Sequence, residues 1–285
     1  MKFIKCSLFI LLLLLFISTA SPNVSADIGP KPFVTVEIKG MGDKNYTATL
    51  ISKEAKGPNF FYDDYLEFND PWMEFHPIME YEDSDGYKWI GRHWKIHGDG
   101  ELNWSYYPPN NFKVIIMTED HQYYTTKALE RYAFGSYFLI DVSGTLNEEL
   151  NSVKVIGDVK HDYNYSKEII SFLIRLFLTI AIEIGLAIIF GFKKKSQIIT
   201  ILIVNAITQV FLNAMLNIVT YFEGQFMAMG FFIIGELIVL ATESIFYGCY
   251  FKTQRSKAVL YGVLANLISF GAGLGLYILE HSILN

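Results

Sequence analysis

Apolar residues dominate the chain after Lys167, where they fall into four long segments separated by short polar stretches. Each segment has the roughly 20 residues that a helix needs to cross the hydrocarbon core of a bilayer. The segments are 169–192, 197–221, 226–250 and 258–280. Residues 168–285 are therefore predicted to form an all-α, four-helix transmembrane domain of a multi-pass membrane protein.

A different pattern precedes these segments. Across residues 27–167, short runs of alternating apolar and polar residues are separated by turn residues, which is typical of half-buried strands. Phe33–Ile38 and Tyr46–Ile51 flank Gly40–Asp43 and are predicted to form a hairpin. The other predicted strands are Tyr87–Ile90, His93–Ile96, Phe112–Met117, Gln122–Lys127, Tyr137–Val142 and Val153–Ile156. This spacing predicts an antiparallel β-sandwich of immunoglobulin-like or similar topology, with a short helix within Pro71–Tyr81.

The first 26 residues have the three parts of a secretory signal peptide. Lys2 and Lys5 are followed by the apolar run Leu8–Ile17 and by the small-residue sequence Val24-Ser25-Ala26. The apolar run is too short to span a bilayer, so export with cleavage after Ala26 is predicted. Residues 27–167 would then form an exported, all-β, sandwich-like domain.

Basic residues between the apolar segments predict the orientation. Lys193-Lys194-Lys195 lies between the first two segments, and Lys252–Lys257 lies between the last two and carries three basic residues. The remaining loop, Tyr221–Gln225, has none. The positive-inside rule places both basic loops in the cytoplasm, and export of the N-terminal domain requires the same arrangement. The predicted location is the plasma membrane, with residues 27–167 extracytoplasmic.

The exported domain is acidic. It carries 23 Asp and Glu against 14 Lys and Arg, a net charge of −9. That charge repels phosphates and argues against a nucleic-acid partner. Both cysteines, Cys6 and Cys249, fall in apolar segments, so the domain must be stabilised by its core rather than by disulfides. The expected partners are the lipid bilayer, an extracellular ligand of unknown identity, and another membrane protein or a second copy of the chain.

Polar residues recur at matched depths in the membrane segments. At a rise of 1.5 Å per residue, one residue of each helix lies roughly 14–15 Å from the basic loops. These inner residues are Glu183, Asn205, Glu243 and Asn266. An outer group at roughly 24–27 Å consists of Arg175, Asn213 and Glu236, with Gln209 between the two depths. Asn205, Gln209 and Asn213 recur every four residues, so they share one helix face.

These groups predict two different roles. Arg175 and Glu236 have opposite charges at matched depth and are predicted to form a structural ion pair. Glu183 and Glu243 have no basic residue at their depth, and two carboxylates in a low dielectric cannot both stay ionised without a proton or a cation between them. Oxygen ligands alone suit a proton or a hard cation better than zinc. Alternatively, the acids are neutral and only hydrogen-bond the bundle together.

The exported domain offers weaker candidates for chemistry. Aromatic residues could stack on a sugar or bind a peptide, although aromatic residues in β-sandwiches commonly fill the core. The aromatic candidates are Trp94, Trp104, Tyr106 and Tyr107. His93 and His97 share a strand face without a third ligand, and Asp83–Gly86 is predicted to be a turn rather than a calcium loop. Nothing resembles a nucleophile elbow, a catalytic triad or a phosphate-binding loop, so no catalytic residue, metal or cofactor is predicted.

Several motifs accompany this order of features. They are Ala26–Pro32, Glu130–Phe134, Asn205–Gln209 with Leu212-Asn213, and Ala265-Asn266 with Ser269–Gly271. Together they resemble a group of uncharacterised membrane proteins of Gram-positive bacteria that have a signal peptide, an exported β-rich domain and four C-terminal transmembrane helices. The resemblance covers nearly the whole chain and implies the architecture without implying an activity.

Two functions are compatible with the sequence. One is a surface protein that binds a ligand or partner and is coupled to a transmembrane bundle with an intramembrane polar site. The other is a proton- or cation-coupled transporter, or a channel-like subunit, that uses the intramembrane glutamates. An intramembrane enzyme ranks behind both because the chain has no recognisable catalytic motif.

Overall fold

The computed structural model describes residues 29–54, 77–145 and 153–283, with side chains described as far as residue 276. Within these ranges, strands precede four long helices. The contacts divide the chain into two units. One contains the described residues of Pro30–Tyr165 with Thr220–Gln225, and the other contains Ser166–Val219 with the helical residues from Phe226 onward. The predicted signal peptide and its cleavage site lie outside the described residues.

The β unit contains two sheets. In chain order its strands are β1 (Phe33–Lys39), β2 (Asn45–Ser52), β3 (Lys88–Trp89), β4 (Trp94–His97), β5 (Gly100–Trp104), β6 (Asn111–Thr118), β7 (Tyr123–Thr126), β8 (Leu129–Glu130), β9 (Gly135–Asp141), β10 (Lys154–Ile156) and β11 (Asp158–His161). One sheet has the order β11-β9-β1-β5. The other runs β10-β7-β6-β2-β3, with β4 also paired to β2 and β8 to β6.

The larger apolar core of the β unit lies between the two sheets, and a smaller buried cluster contains Ile51, Ile78, Ile115 and Met117. Side chains alternate between the faces of a strand, and every second residue of β1 enters the larger core: Val34, Val36 and Ile38 are fully buried. Phe112 of one sheet packs edge-to-face on Phe138 of the other, with ring centroids 5.6 Å apart. The predicted sandwich-like β domain followed by a helical domain is thus confirmed.

The predicted hairpin between β1 and β2 is wrong. Both strands form, but β1 pairs with β5 and β9, whereas β2 pairs with β3, β4 and β6. The connection therefore crosses from one sheet to the other. Its turn is fixed by Asp99, whose Oδ1 accepts the N–H groups of Gly40 at 2.9 Å and Met41 at 3.1 Å. This contact joins residues far apart in sequence, so the local pattern does not reveal it.

The pairing of the strands also departs from the prediction of a purely antiparallel sandwich. β1 lies parallel to β9, and β7 lies parallel to β10. The sequence pattern does not predict β5, β8 or β11, because β5 follows a glycine-rich turn, β8 has two residues and β11 is mostly exposed. In the described part of the predicted short helix, a 3₁₀ turn forms at Pro77–Glu80.

The four helices follow the predicted segments to within a few residues. They are α1 (Tyr165–Ile189), α2 (Lys195–Glu223), α3 (Gln225–Tyr250) and α4 (Arg255–Ile283). All four are long and apolar enough to cross a membrane, so the chain is a multi-pass membrane protein. Gly191 after α1 and Gly224 between α2 and α3 have φ of 77° and 83°, a backbone conformation that glycine adopts without steric conflict.

Candidate functional site in the transmembrane bundle

Each helix contributes at least one polar residue to the interior of the bundle. Glu183 of α1 and Glu243 of α3 have no exposed surface, and Asn205 of α2 and Asn266 of α4 are 1% exposed. Gln209, one turn from Asn205 on the same face of α2, is buried as well. In contrast, many large apolar side chains of the helices are exposed on the outside of the bundle. The helices therefore turn their polar residues inward, as expected for segments surrounded by lipid.

Glu243 accepts a hydrogen bond at each carboxylate oxygen. Thr208 Oγ1 of α2 donates to Oε1 at 2.5 Å, and Asn266 Nδ2 of α4 donates to Oε2 at 2.9 Å. This side chain therefore connects three helices. Hydrogen bonds to an ionised carboxylate are short and strong. The donors thus satisfy both oxygens of this buried carboxyl group.

Glu183 has a poorer set of donors. Ser269 Oγ lies 3.4 Å from Oε1, and the single proton of this hydroxyl is shared with the Asn266 carbonyl oxygen at 3.1 Å. Glu183 Oε2 has no hydrogen-bond partner among the described residues. Nor does any described residue give Glu183 or Glu243 a lysine or arginine partner. Because the two carboxylates influence each other electrostatically, a second negative charge at Glu183 would be costly.

The asparagines leave their carbonyl oxygens without donors. Asn205 Nδ2 donates to the Ile201 carbonyl oxygen at 3.0 Å, and Asn266 Nδ2 donates to the Gly262 carbonyl oxygen at 2.9 Å. Asn213 makes the same contact with the carbonyl oxygen of Gln209 at 2.8 Å. In each case the side chain bonds back to the residue four positions earlier, and its Oδ1 has no partner among the described residues. Gln209 Nε2 and Ser244 Oγ, which can donate, also lack partners, so in the described bundle the unpaired acceptors outnumber the unpaired donors by five to two.

Two buried tyrosines lie beside this site. Asn205 Nδ2 donates to the Tyr247 hydroxyl at 3.1 Å, and the Tyr261 hydroxyl donates to the Glu183 carbonyl oxygen at 3.1 Å. At this depth α2 contributes only uncharged side chains. Apart from the two glutamates, the titratable groups of the described residues that face the site are thus Tyr247 of α3, Tyr261 of α4 and, farther along α3, Glu236.

The sequence interpretation misses four residues of this site. They are Thr208, Tyr247, Tyr261 and Ser269. Three of them carry a signal that helical spacing could reveal, because Thr208, Tyr247 and Ser269 follow a predicted site residue on their own helix by three or four positions. Tyr261 carries no comparable signal, since its hydroxyl meets the backbone of another helix.

The predicted ion pair of Arg175 with Glu236 is not formed in the described structure. Arg175 Nε donates to the Ser171 carbonyl oxygen of its own helix at 3.2 Å. Glu236 instead lies beside Gln209, and its Oε2 has no hydrogen-bond partner among the described residues. Matched depth does not make two side chains face each other, and a long arginine side chain extends toward the end of its helix, where its charge is better solvated.

A glycine allows two helices to approach closely at the site. A Cβ atom at Gly262 of α4 would lie 2.9 Å from the Ser244 Cα atom and 3.2 Å from Tyr247 Cδ2, both in α3. Small residues permit such backbone approach in membrane helices. Because Asn266 is one turn from Gly262, the same approach brings the Asn266 amide within reach of Glu243. Gly262 therefore positions the site without contributing a side chain.

The aromatic candidates of the β unit fall into two groups. Trp104 is completely buried in the core, its Nε1 donates to the Tyr106 carbonyl oxygen at 3.0 Å, and Trp94 packs on it with ring centroids 5.7 Å apart. Trp104 is therefore a core residue rather than a contact for a ligand. Tyr107 is 45% exposed and packs edge-to-face on Tyr106. A cleft of about 400 Å³ lies beside Trp94 and is lined by residues that include Trp89 and Arg92.

The acidic turn Asp83–Gly86 has a structural role. Asp83 Oδ1 accepts the N–H groups of Asp85 and Tyr87 at 2.9 Å each, and Lys113 Nζ donates to Asp83 Oδ2 at 2.5 Å. Burial of Asp83 acts to raise the pKa of its carboxyl group. The Lys113 contact and these N–H bonds outweigh that effect, so the pKa is lowered. For Lys113, burial likewise opposes the hydrogen bonds to Asp83 and Asp85, which raise the pKa of the ammonium group. The turn is thus an ion-paired element of the β unit.

Comparison with protein-family models, with curated proteins and with solved structures found no match. The resemblance to membrane proteins of Gram-positive bacteria therefore stays a prediction. Function is inferred from the geometry of the two units alone.

Proposed function

We propose that this chain is a plasma-membrane protein whose bundle binds one proton or one hard cation between Glu183 and Glu243. In this proposal residues 27–167 are extracytoplasmic and the two basic loops are cytoplasmic. One observation carries the proposal: among the described residues of the bundle, buried oxygen acceptors without a partner come from all four helices and outnumber the buried donors without a partner.

Among the described residues, the unpaired acceptors at the level of the glutamates are Glu183 Oε2, Asn205 Oδ1 and Asn266 Oδ1, and the Ser244 hydroxyl is unpaired as well. A buried acceptor without a donor costs about 1–3 kcal/mol, so a carboxylate oxygen and two amide oxygens in this state favour an electropositive occupant. A proton satisfies one of these oxygens, and a cation satisfies several at once. Because the ligands are all oxygen atoms, the matching metals are hard cations.

The two glutamates have different parts in the proposed site. Glu243 already accepts hydrogen bonds at both oxygens, and in this proposal it supplies the negative charge of the site. Glu183 is the group that changes state, because its Oε2 is free to take up a proton or to contact a cation. A protonated Glu183 could also donate to Ser269 Oγ, which lies 3.4 Å from its Oε1.

Such a site would couple the membrane domain to its surroundings. The proposed cytoplasmic loops are short, so an event at the extracellular domain would pass onward through ion movement or through contact with another membrane protein. A second copy of the chain is one such partner, because four helices enclose little space for a pore.

The test measures the stability of the bundle in full-length protein as a function of pH and of added Na⁺, K⁺ and Ca²⁺. Glu183→Gln and Glu243→Gln remove one carboxylate each and retain its shape. The matched control is Glu223→Gln, since Glu223 is an exposed carboxylate at the end of α2. Insertion of each variant into membranes is checked first.

In the wild type and the control, cations or protons are expected to shift the unfolding midpoint of the helices. The two site variants are expected to lose that shift. A shift with pH alone identifies a proton, and a cation-selective shift identifies a metal ion. If both site variants respond like the control, the polar residues only hold the helices together and the proposal fails. Flux of the same ions into proteoliposomes then distinguishes a transporter from a protein that senses the ion.

A second candidate function is recognition of an extracellular ligand by the β domain. The exposed ring of Tyr107 and the cleft beside Trp94 favour it. Binding of cell-wall fragments to full-length protein is measured with Tyr107→Ala and Trp94→Ala. A loss of affinity in either variant supports this function, and binding unchanged in both excludes these aromatic residues.

A further inference from the structure

The polar site is closed at the end that carries the basic loops. Phe192 after α1, Ile201 of α2 and Tyr261 of α4 have no exposed surface, and Phe251 after α3 is 7% exposed. They belong to one apolar cluster to which all four helices and their ends contribute. The ring of Phe192 lies 5.2 Å from that of Phe251 and 5.3 Å from that of Tyr261, measured between centroids. This cluster, called the aromatic layer below, separates Glu183 and Glu243 from the basic loops.

In the opposite direction the interior carries polar side chains for about two helical turns, beyond which Leu216, Val219 and Ala228 are buried. Gln209 and Asn213 of α2 and Glu236 of α3 are buried, with at most 8% of their surface exposed. Gln209 Nε2, Asn213 Oδ1 and Glu236 Oε2 all lack hydrogen-bond partners among the described residues. Glu236 precedes Glu243 by seven residues, so both lie on one face of α3, roughly 10.5 Å apart along the helix axis. These three side chains, called the polar column below, extend the site away from the basic loops by two helical turns.

The apolar packing beside the polar column is less extensive. Among the described residues, the buried cluster at this level consists of Leu212, Leu216 and Val239 of α2 and α3, and Phe232, which packs against it, lies 5.5 Å from Phe270 of α4 between ring centroids. Buried polar atoms without protein partners are normally satisfied by water or by ions. The polar column therefore has the properties of a hydrated path, whereas the aromatic layer has the packing of a closed core.

We infer that the bound proton or cation exchanges along the polar column with the membrane face opposite the basic loops, while the aromatic layer blocks exchange with the basic face. The inference rests on the proposed function and adds the side of access. Glu236 is the first carboxylate that an ion entering from this face would meet. This position explains why Glu236 is buried without an ionic partner in the described structure.

Accessibility to Ag⁺ tests the path, because this ion is small enough to follow cations and binds a thiolate with release of a proton. In full-length protein carrying Cys6→Ala and Cys249→Ala, the reporters are Ser244→Cys beside Glu243 and Asn213→Cys in the column. The protein is reconstituted into vesicles, and its orientation is read by protease digestion of the β domain. A thiol scavenger is trapped on the side to which Ag⁺ is not added. Thiols that remain free are counted after unfolding.

Both reporters are expected to react with Ag⁺ from the face opposite the basic loops, with Asn213→Cys reacting first. Neither is expected to react from the basic face until Phe251→Ala opens the aromatic layer. Glu236→Leu is expected to slow the reaction at Ser244→Cys roughly tenfold, a change of about 1.4 kcal/mol in the barrier.

Two results overturn the inference: reaction from the basic face at an equal or higher rate, or no reaction from either face in both reporters. These results are independent of the proposed function, which is tested by the pH and cation response of Glu183→Gln and Glu243→Gln. That response is measured in the reporter proteins too, so that a damaged site is recognised as such.

Discussion

A methyl group added at Gly262 tests the close approach of α3 and α4. In Gly262→Ala, the new Cβ atom would lie 2.9 Å from Ser244 Cα, 3.0 Å from Ser244 Oγ and 3.2 Å from Tyr247 Cδ2. Ordinary contacts of a Cβ atom lie at 3.4–4 Å. The nearest neighbour is backbone and cannot rotate away, so α3 and α4 must separate by several tenths of an ångström.

The expected size of the effect follows from two opposing contributions. Replacing glycine by alanine within a helix gains roughly 0.5–1 kcal/mol. Overpacking of a tight contact costs about 1–3 kcal/mol. Gly271 of the same helix is exposed, and a Cβ atom added there would meet no described atom within 4 Å. Gly271→Ala should therefore show only the stabilisation that alanine gives to a helix. The two variants should therefore differ in free energy of unfolding by about 1–3 kcal/mol.

Reversible unfolding of the full-length protein in mixed micelles, followed by the helical circular dichroism signal, measures this difference. Tryptophan fluorescence cannot replace it, because all four tryptophans precede the helices. Separation of α3 and α4 should also weaken the contact of Asn266 with Glu243, so Gly262→Ala should reduce the response of the bundle to protons or cations. Equal stability of Gly262→Ala and Gly271→Ala would refute the close approach of α3 and α4.

Three further results are expected. Lys113→Met leaves the buried Asp83 carboxylate without its ammonium partner and should destabilise the β domain by about 2–3 kcal/mol. Asp85→Asn removes a partner of Lys113 that is exposed to solvent, and it should destabilise the domain by less than about 1 kcal/mol. Urea unfolding followed by tryptophan fluorescence measures the loss of stability in both variants. Equal losses would contradict the conclusion that Asp83 is the buried partner of Lys113. In the wild type, the stability from this pair should be lost as pH falls through the lowered pKa of Asp83, and again as pH rises through the raised pKa of Lys113. If the stability of the Lys113→Met variant depends on pH in the same way as that of the wild type, the ion pair of Asp83 with Lys113 is not the source of this dependence. Thr208→Val removes a donor to Glu243 and should destabilise the bundle by about 1–2 kcal/mol in the micelle assay, and unchanged stability would show that the hydroxyl is dispensable.

The helical half of the fold could be predicted from sequence because its determinants are local. A membrane helix needs a long apolar run, and the basic loops give a reference for depth, so the positions of the inner residues along their helices already indicate one common level. Rotation about the helix axis does not follow from depth. Arg175 and Glu236 share a depth, yet Arg175 bonds to Ser171 on its own helix.

The β domain was less predictable because its pairing depends on contacts distant in sequence. The alternating pattern predicts β1 and β2 as strands, but the carboxylate of Asp99 helps to turn their connection into a crossing between sheets. Burial was equally hard to foresee: Trp104 and Tyr107 are both aromatic residues of one short segment, and only the structure distinguishes the buried ring from the exposed one.

The most direct test of the central claim is the infrared difference spectrum of full-length protein on a change of pH or of cation concentration. The carbonyl band of a protonated carboxyl reports Glu183 itself. A carbonyl band is expected to appear when protons bind or to disappear when the cation binds. This band should be absent from Glu183→Gln, altered in Glu243→Gln and unchanged in Glu223→Gln. A spectrum without any band that depends on Glu183 or Glu243, under every condition of pH and cation, would contradict the central claim.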